Sequence, residues 1–283
     1  MVRRTSSRRV ATGIALVALA AFVGLQAQQT QQAQQAKKAY EPEYGQAGKD
    51  VVWVPTSPEL VEKMLDLAKV TPDDFVIDLG SGDGRTVIAA AKRGARAMGI
   101  EYNPEMVELS KAKAGEAGVS DRVTFVKADL FESDFSQATV ITMFLLPSIN
   151  VKLRPKLLEM PPGTRLVSNS FDMAEWTADE IGTVEGDCTN WCRALLWIVP
   201  AKVEGSWQMT EGTLTLSQSF QMVTGTLTDG DRSAAISDGR LRGNEFTFTL
   251  GGGRYRGVVN GDTIEGTVEG VGAGRTWKAR RAQ

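Results

Sequence analysis

Apolar positions along the first two-thirds of the chain switch repeatedly between two periods. Over residues 58–69, Leu60, Val61, Met64, Leu65, Leu67 and Ala68 recur three and four apart, which predicts a helix with one buried stripe. Residues 74–79 form a short apolar run, read as a strand, and it ends in the glycine-rich turn Gly80-Ser81-Gly82-Asp83-Gly84. The alternation continues with a helix over 86–93, a strand over 97–101 and a helix over 104–117. Strands over 122–128 and 138–145, a helix over 151–160 and a strand over 165–171 come next. Segments 180–185 and 193–200 read as a closing hairpin. Strands alternating with helices predict an α/β fold, a mainly parallel sheet covered on both faces.

After Ala201 the helical period disappears. Turn signals recur at Asp229-Gly230, Asp238-Gly239, Gly251-Gly252-Gly253 and Asn260-Gly261-Asp262. Between them lie short alternating runs at 212–217, 222–227, 245–250, 255–259, 263–268 and 275–279. Such spacing predicts a small all-β domain, a meander or barrel, with Trp207 and Trp277 placed to close it.

The first residues belong to neither pattern. Arg3, Arg4, Arg8 and Arg9 precede an uncharged, mostly apolar run over 10–25, and residues 28–35 are rich in glutamine. The run is short for a bilayer span, so residues 1–27 read as a signal peptide, with an uncleaved membrane anchor as the alternative. Residues 28–50 read as a polar linker. The expected order is therefore 1–27 targeting segment, 28–50 linker, 51–201 α/β domain and 202–283 β domain. It implies an exported or membrane-anchored protein, with membrane association through the N-terminus.

Charge and residue types narrow the chemistry. The chain has 32 basic and 34 acidic residues; four of the arginines fall in the first 27, leaving 28 bases against 34 acids. An acidic body argues against nucleic acid as the partner. The chain has no histidine, which removes Ser-His-Asp and Cys-His hydrolases and His-ligated zinc; no metal is expected. Cys188 and Cys192 stand four apart, and the sequence leaves two readings open, free thiols or a local disulfide.

The glycine turn comes after a strand and opens a helix, so its backbone N–H groups face a bound ligand. Gly80, Gly82 and Gly84 are spaced G-x-G-x-G. The dinucleotide fingerprint places its third glycine where Arg85 stands, and no Gly-Lys-Ser/Thr follows for a phosphate loop. Glu101 ends the second strand, 21 residues after Gly80, where a carboxylate accepts from ribose hydroxyls. Asp129 ends the third strand, placed to accept from an adenine amine, with Tyr102 or Leu130 against the ring.

Together these residues resemble class I S-adenosylmethionine (SAM)-dependent methyltransferases over residues 51–200. Asp78, Gly80, Ser81, Gly82 and Gly84 stand in the family's first motif, with Glu101, Tyr102, Asp129 and Leu130 at its ribose and adenine positions. The resemblance implies a Rossmann-like seven-stranded sheet with one antiparallel strand and SAM at the carboxyl ends of the strands. Trp53-Val54-Pro55-Thr56 and Phe144-Leu145-Leu146-Pro147 look like segments of the small lysine methyltransferases that modify adenine nucleotide translocase and the c-ring protein of ATP synthase. That likeness implies a protein-lysine acceptor beside Trp53, Pro55, Thr56, Phe144 and Pro147. No general base is assigned; Asp172 and Glu132 fall near the expected rim. A small-molecule acceptor is an alternative. SAM is made in the cytoplasm whereas the N-terminus points outward, so an exported, non-catalytic binding protein with this fold is another.

Overall fold

The computed structural model describes residues 40–186, 188–271 and 274–282. The targeting segment expected over 1–27 and most of the expected linker lie outside the described residues.

Each helix begins where the sequence supplies a start. The Ser57 hydroxyl accepts from the Leu60 N–H at 3.2 Å and opens helix α1 (Pro58–Leu67), with proline in its first turn. Strand β1 (Phe75–Leu79) leads through the glycine turn into α2 (Arg85–Lys92), and β2 (Arg96–Glu101) comes after it. The Asn103 side chain caps α3 (Pro104–Glu116) by accepting from the Glu105 N–H at 2.8 Å. Next come β3 (Val123–Lys127), β4 (Val140–Met143), α4 (Pro147–Leu158), β5 (Arg165–Asn169), β6 (Glu180–Thr183) and β7 (Arg193–Ile198).

The strands form one sheet in the order β3-β2-β1-β4-β5-β7-β6. Pairings among β1 to β5 are parallel, and β7 runs antiparallel to both neighbours. This is the seven-stranded methyltransferase sheet with one reversed strand. The period-two alternation sends Val76, Val140 and Val167 to one face, under α1, α2 and α3. It sends Ile77, Ile141 and Leu166 to the other, under α4. Chain direction across the sheet reverses between β1 and β4. The carboxyl ends of those strands therefore open onto a crevice, the usual ligand position in open α/β sheets.

Two segments differ from expectation. Strand β4 stops at Met143 and α4 starts at Pro147, four residues before the predicted helix. The apolar run 144–149 crosses from strand to helix, and proline at the first helical position sets the start. Residues 42–50, expected as linker, belong to the folded unit. Gly45 N–H donates to Trp53 O and Trp53 N–H to Gln46 O, both at 2.9 Å, which makes a small hairpin.

The C-terminal part is a closed antiparallel barrel. Its strands are β8 (Gly205–Met209), β9 (Gly212–Ser219), β10 (Met222–Asp229), β12 (Ser237–Arg242), β13 (Glu245–Leu250), β14 (Gly253–Asn260), β15 (Thr263–Gly270) and β16 (Thr276–Arg281). Pairing runs β10-β12-β13-β14-β15-β16-β8-β9, and β9 returns to β10. Strand β11 (Arg232–Ala235) is a side hairpin on β10. The sequence pattern does not mark β8, β11 or β12. Each is four to six residues long without a clear apolar–polar alternation, and neighbouring strands impose their pairing. As expected, the tryptophan strands meet: Trp207 of β8 pairs with Arg281 of β16, the strand that also carries Trp277, and both indoles are buried. Aromatic and aliphatic side chains fill the interior. Gly257 makes room for them, since a Cβ there would stand 2.6 Å from Trp277 Cζ2. Both parts lie in one compact unit, Pro42–Gln283. They meet where Phe220 stacks on Trp176 at 5.9 Å, and where Arg240 donates to the fully buried Asp179 carboxylate at 2.6 Å.

Candidate active site

A cavity of about 560 Å³ opens at the carboxyl ends of the parallel strands, within the range of cofactor sites. The glycine turn forms its floor. Gly80, Gly82 and Gly84 hold φ of 76°, 53° and 78°. The position matters most at Gly82: a Cβ there would lie 2.8 Å from Trp53 Nε1, so the loop and residue 53 touch only because the residue is glycine. Gly80 and Ser81 N–H groups donate to Ile100 O at 2.9 and 3.0 Å, which ties the turn to β2. Gly84 caps α2 and lies outside the lining, against Phe125 and Ser110.

Asp78, at the penultimate position of β1, is buried and accepts from Thr142 Oγ1 at 2.7 Å. Burial pushes its carboxyl up to about 7; the negative charges of Glu101 and Asp83 add to the rise, and the Thr142 and Thr86 hydroxyls oppose it. Burial also works against the charge on Asp83, yet hydrogen bonds from Arg85 and Lys113 outweigh it and hold that carboxyl at about 2. Arg85 stands where a dinucleotide site carries glycine. Besides gripping Asp83 with two nitrogens, it donates to Thr56 O at 2.7 Å and fastens the 53–56 segment to the loop.

The end of the cavity beside β2 and β3 is polar. Glu101 accepts from the Gly82 and Asn103 N–H groups, both at 2.9 Å, which fixes the carboxylate at the rim of the glycine turn. Asp129 accepts from the Phe131 N–H at 2.9 Å. Its other oxygen pairs with Lys49 of the hairpin, whose ammonium lies 4.9 Å from the Tyr102 ring centroid. The hydrogen bond from Lys49 holds the Asp129 carboxyl below its ordinary range and raises the lysine. Thus Lys49 engages the two groups expected to hold adenine, together with neighbouring Leu130 on the lining.

The other end is apolar. Trp53, Pro55, Thr56 and Phe144 line it as expected. Pro147 does not: it opens α4, while Leu145, Leu146 and Ile149 face the cavity. Phe171 and Trp191 were not foreseen. Phe171 stacks on Phe144 at 5.8 Å, and Trp191 meets Phe171 at 5.0 Å and Phe144 at 5.6 Å. Cys188 and Cys192 form a disulfide, so the tryptophan sits inside a closed loop. A tryptophan between two cysteines four apart was the signal available in the sequence; which wall it joins depends on how β5 and β7 pair. Behind the wall, buried Asn169 donates to Thr56 Oγ1 at 3.1 Å. Asp172 does not line the cavity and instead accepts from the Ala174 N–H at 3.2 Å; Glu132 is not on the lining either.

These residues fit SAM. Ser81 Oγ is buried against Gly99 of β2 without a hydrogen-bond partner in the protein, while Asp78, Glu101 and Asp129 line the cavity as acceptors for amine and hydroxyl groups. The clustered charges that raise Asp78 favour a cationic ligand.

Comparison with known proteins agrees. The family model for the ANTKMT methyltransferase domain matches residues 78–180. A protein-lysine N-methyltransferase of Saccharolobus islandicus is 46% identical over 138 residues, 48% of this chain and 86% of that protein. The adenine nucleotide translocase lysine N-methyltransferase of Mus musculus is 41% identical over 128 residues, 44% of this chain; the chain spans only 56% of its length. A crystal structure described as an RNA methyltransferase from Salinibacter ruber, in complex with S-adenosyl-L-homocysteine, is 47% identical. It covers 53% of this chain and 96% of that one, with a TM-score of 0.50. The sheet order, the glycine turn with its two strand-end acids and these relatives agree: the chain belongs to the ANTKMT family of SAM-dependent methyltransferases.

Proposed function

We propose that this methyltransferase modifies the side-chain amine of lysine in a protein substrate. The observation that carries the reading is the division of the cavity lining. Its carboxylates, Asp50, Asp78, Asp83, Glu101 and Asp129, come from the hairpin and from β1 to β3 with the turns at their ends. The segments after β4, after β5 and before β7 contribute Phe144, Leu145, Leu146, Ile149, Phe171 and Trp191, all apolar. An alkyl chain ending in an amine suits that half, since its methylenes pack on aromatic and aliphatic faces. An apolar setting also lowers an amine's pKa and favours its neutral, nucleophilic form.

Bound SAM supplies an electrophilic methyl group on a sulfonium. Glu101 would hold the ribose, Asp129 and Tyr102 the adenine, and Asp78 with the turn and the α2 N-terminus the amino-acid end. The aromatic wall orients the acceptor, and alignment alone accounts for a large part of such a rate. Among the described residues, the carboxylates on the lining all stand in the polar half, so solvent is the proton acceptor in this reading. The names of the archaeal and mouse relatives support lysine. An RNA acceptor would want free cations, whereas the lining cations Lys49 and Arg85 are each paired with a carboxylate.

The test is transfer from tritiated-methyl SAM into a cell lysate. The label is expected to survive ribonuclease, to be lost to protease, and to appear as methyllysine after acid hydrolysis. Label removed by ribonuclease, or found in small molecules, overturns the reading. The basic and apolar residues at 1–27 support an exported or anchored address. Cell fractionation tests it, and a purely cytoplasmic full-length chain would refute it.

A further inference from the structure

The loop that carries Trp191 is built differently from the rest of the site. Trp191 has a φ of 57°, a left-handed conformation that bulky residues rarely hold, and it is 40% exposed, so burial does not keep it there. Its Cys192 neighbour is anchored to the sheet, since Cys192 O accepts from the Val184 N–H at 2.9 Å and β7 begins at the next residue. The disulfide ties Cys188 to that anchor. The closed loop sets the indole against Phe144 and Phe171, over the ends of β4 and β5. The groups fitted to SAM lie across β1, and their hydrogen bonds run among the glycine turn, β2 and the segment after β3.

We propose that Trp191 is a movable wall of the acceptor site, closed in the disulfide form and released by reduction, so that acceptor use depends on redox state and SAM binding does not. This rests on the lysine-transfer reading above. The switching step is thiol–disulfide exchange with a dithiol. The Cys188–Cys192 bond breaks, both sulfurs become thiols, and the dithiol gives up two electrons and two protons to become its own disulfide. Once open, the loop no longer holds residue 191 in the left-handed conformation, and the third aromatic face leaves the wall.

The experiment uses the full chain, tritiated-methyl SAM and poly-L-lysine as the acceptor probe. Oxidised protein, dithiothreitol-reduced protein, the C188S/C192S double variant, W191A and W191F are compared. Reduction and the double variant are expected to raise KM for poly-lysine at least fivefold and to leave the calorimetric Kd for SAM within twofold. W191A is expected to lose about tenfold in kcat/KM, and W191F to recover part of it. A reduced protein and a double variant both within twofold of the oxidised protein in kcat/KM overturn the proposal, as does a parallel loss of SAM binding. If no form labels poly-lysine although SAM binds, the lysate assay decides the lysine reading, and acrylamide quenching decides the fate of the wall. The quenching difference between wild type and W191F is expected to grow on reduction; an unchanged difference overturns the proposal.

Discussion

The two ends of the cavity are made by opposite means. The end beside β2 and β3 uses polar side chains and backbone N–H groups, placed at or just past the end of a strand and fixed by hydrogen bonds to their neighbours. Glu101 is held by two N–H groups, and Asp129 by one and by Lys49. The other end uses mainly large apolar side chains from segments far apart in sequence: residues 53–56, 144–146, 149, 171 and 191. An end built on local bonds fixes one ligand, as a cofactor site must. An end built on packed faces is open to adjustment by whatever sets those faces, here a glycine contact with Trp53, Arg85 on Thr56 O, and a disulfide beside Trp191.

If the ends are separable, substitutions should divide cleanly between cofactor and acceptor. The largest effect is expected at Glu101→Ala, which removes the ribose acceptor and frees two backbone donors. SAM affinity should fall on the order of a hundredfold, from the loss of charge-assisted bonds worth about 1.5–3 kcal/mol each. Calorimetry measures it, and affinity unchanged within threefold would mean that Glu101 does not hold the ligand. Next is Phe144→Ala, expected to lower kcat/KM for the acceptor about thirtyfold, near 2 kcal/mol, with SAM affinity within twofold. A comparable loss of SAM binding would break the division.

Asp78 gives a smaller, pH-dependent effect. Its carboxyl titrates at about 7, so it is mostly protonated at pH 6 and mostly ionised at pH 8. A cationic ligand favours the ionised form, so SAM affinity should rise about tenfold between pH 6 and pH 8, as the ionised fraction does. Asp78→Asn should flatten that dependence while keeping an acceptor for the Thr142 hydroxyl; a slope surviving in the variant assigns it to another group. The smallest effect serves as the control. Arg240→Ala strips one partner from buried Asp179, while the Ile198 N–H donor at 2.9 Å remains. Because Arg240 is itself part-exposed, a loss of about 1 kcal/mol is expected, a Tm lower by about 3 °C in thermal unfolding. Kd and KM should not move; if either does, the barrel acts on the site and the comparison must include it.

Much of this was legible along the chain. The alternation of helical and strand periods gives the sheet, because burial on both faces or on one dictates the spacing of apolar residues. The glycine turn, Glu101 and Asp129 were legible because each lies at or just past the end of a strand, and parallel strands bring those ends together by topology alone. Trp207 and Trp277 marked the closure of the barrel, whereas β8, β11 and β12 are too short to show a period of their own. Tertiary structure alone added Phe171 and Trp191 to the apolar wall. Phe171 and Trp191 meet only because β7 pairs antiparallel with β5, and Pro147 turns away because α4 begins there. It also closed the cysteine pair and folded residues 45–53 over the cavity, with Lys49 on Asp129. Periodicity records which face of an element is buried. It does not record which distant segment supplies the opposing face, and that is the information the apolar end is made of.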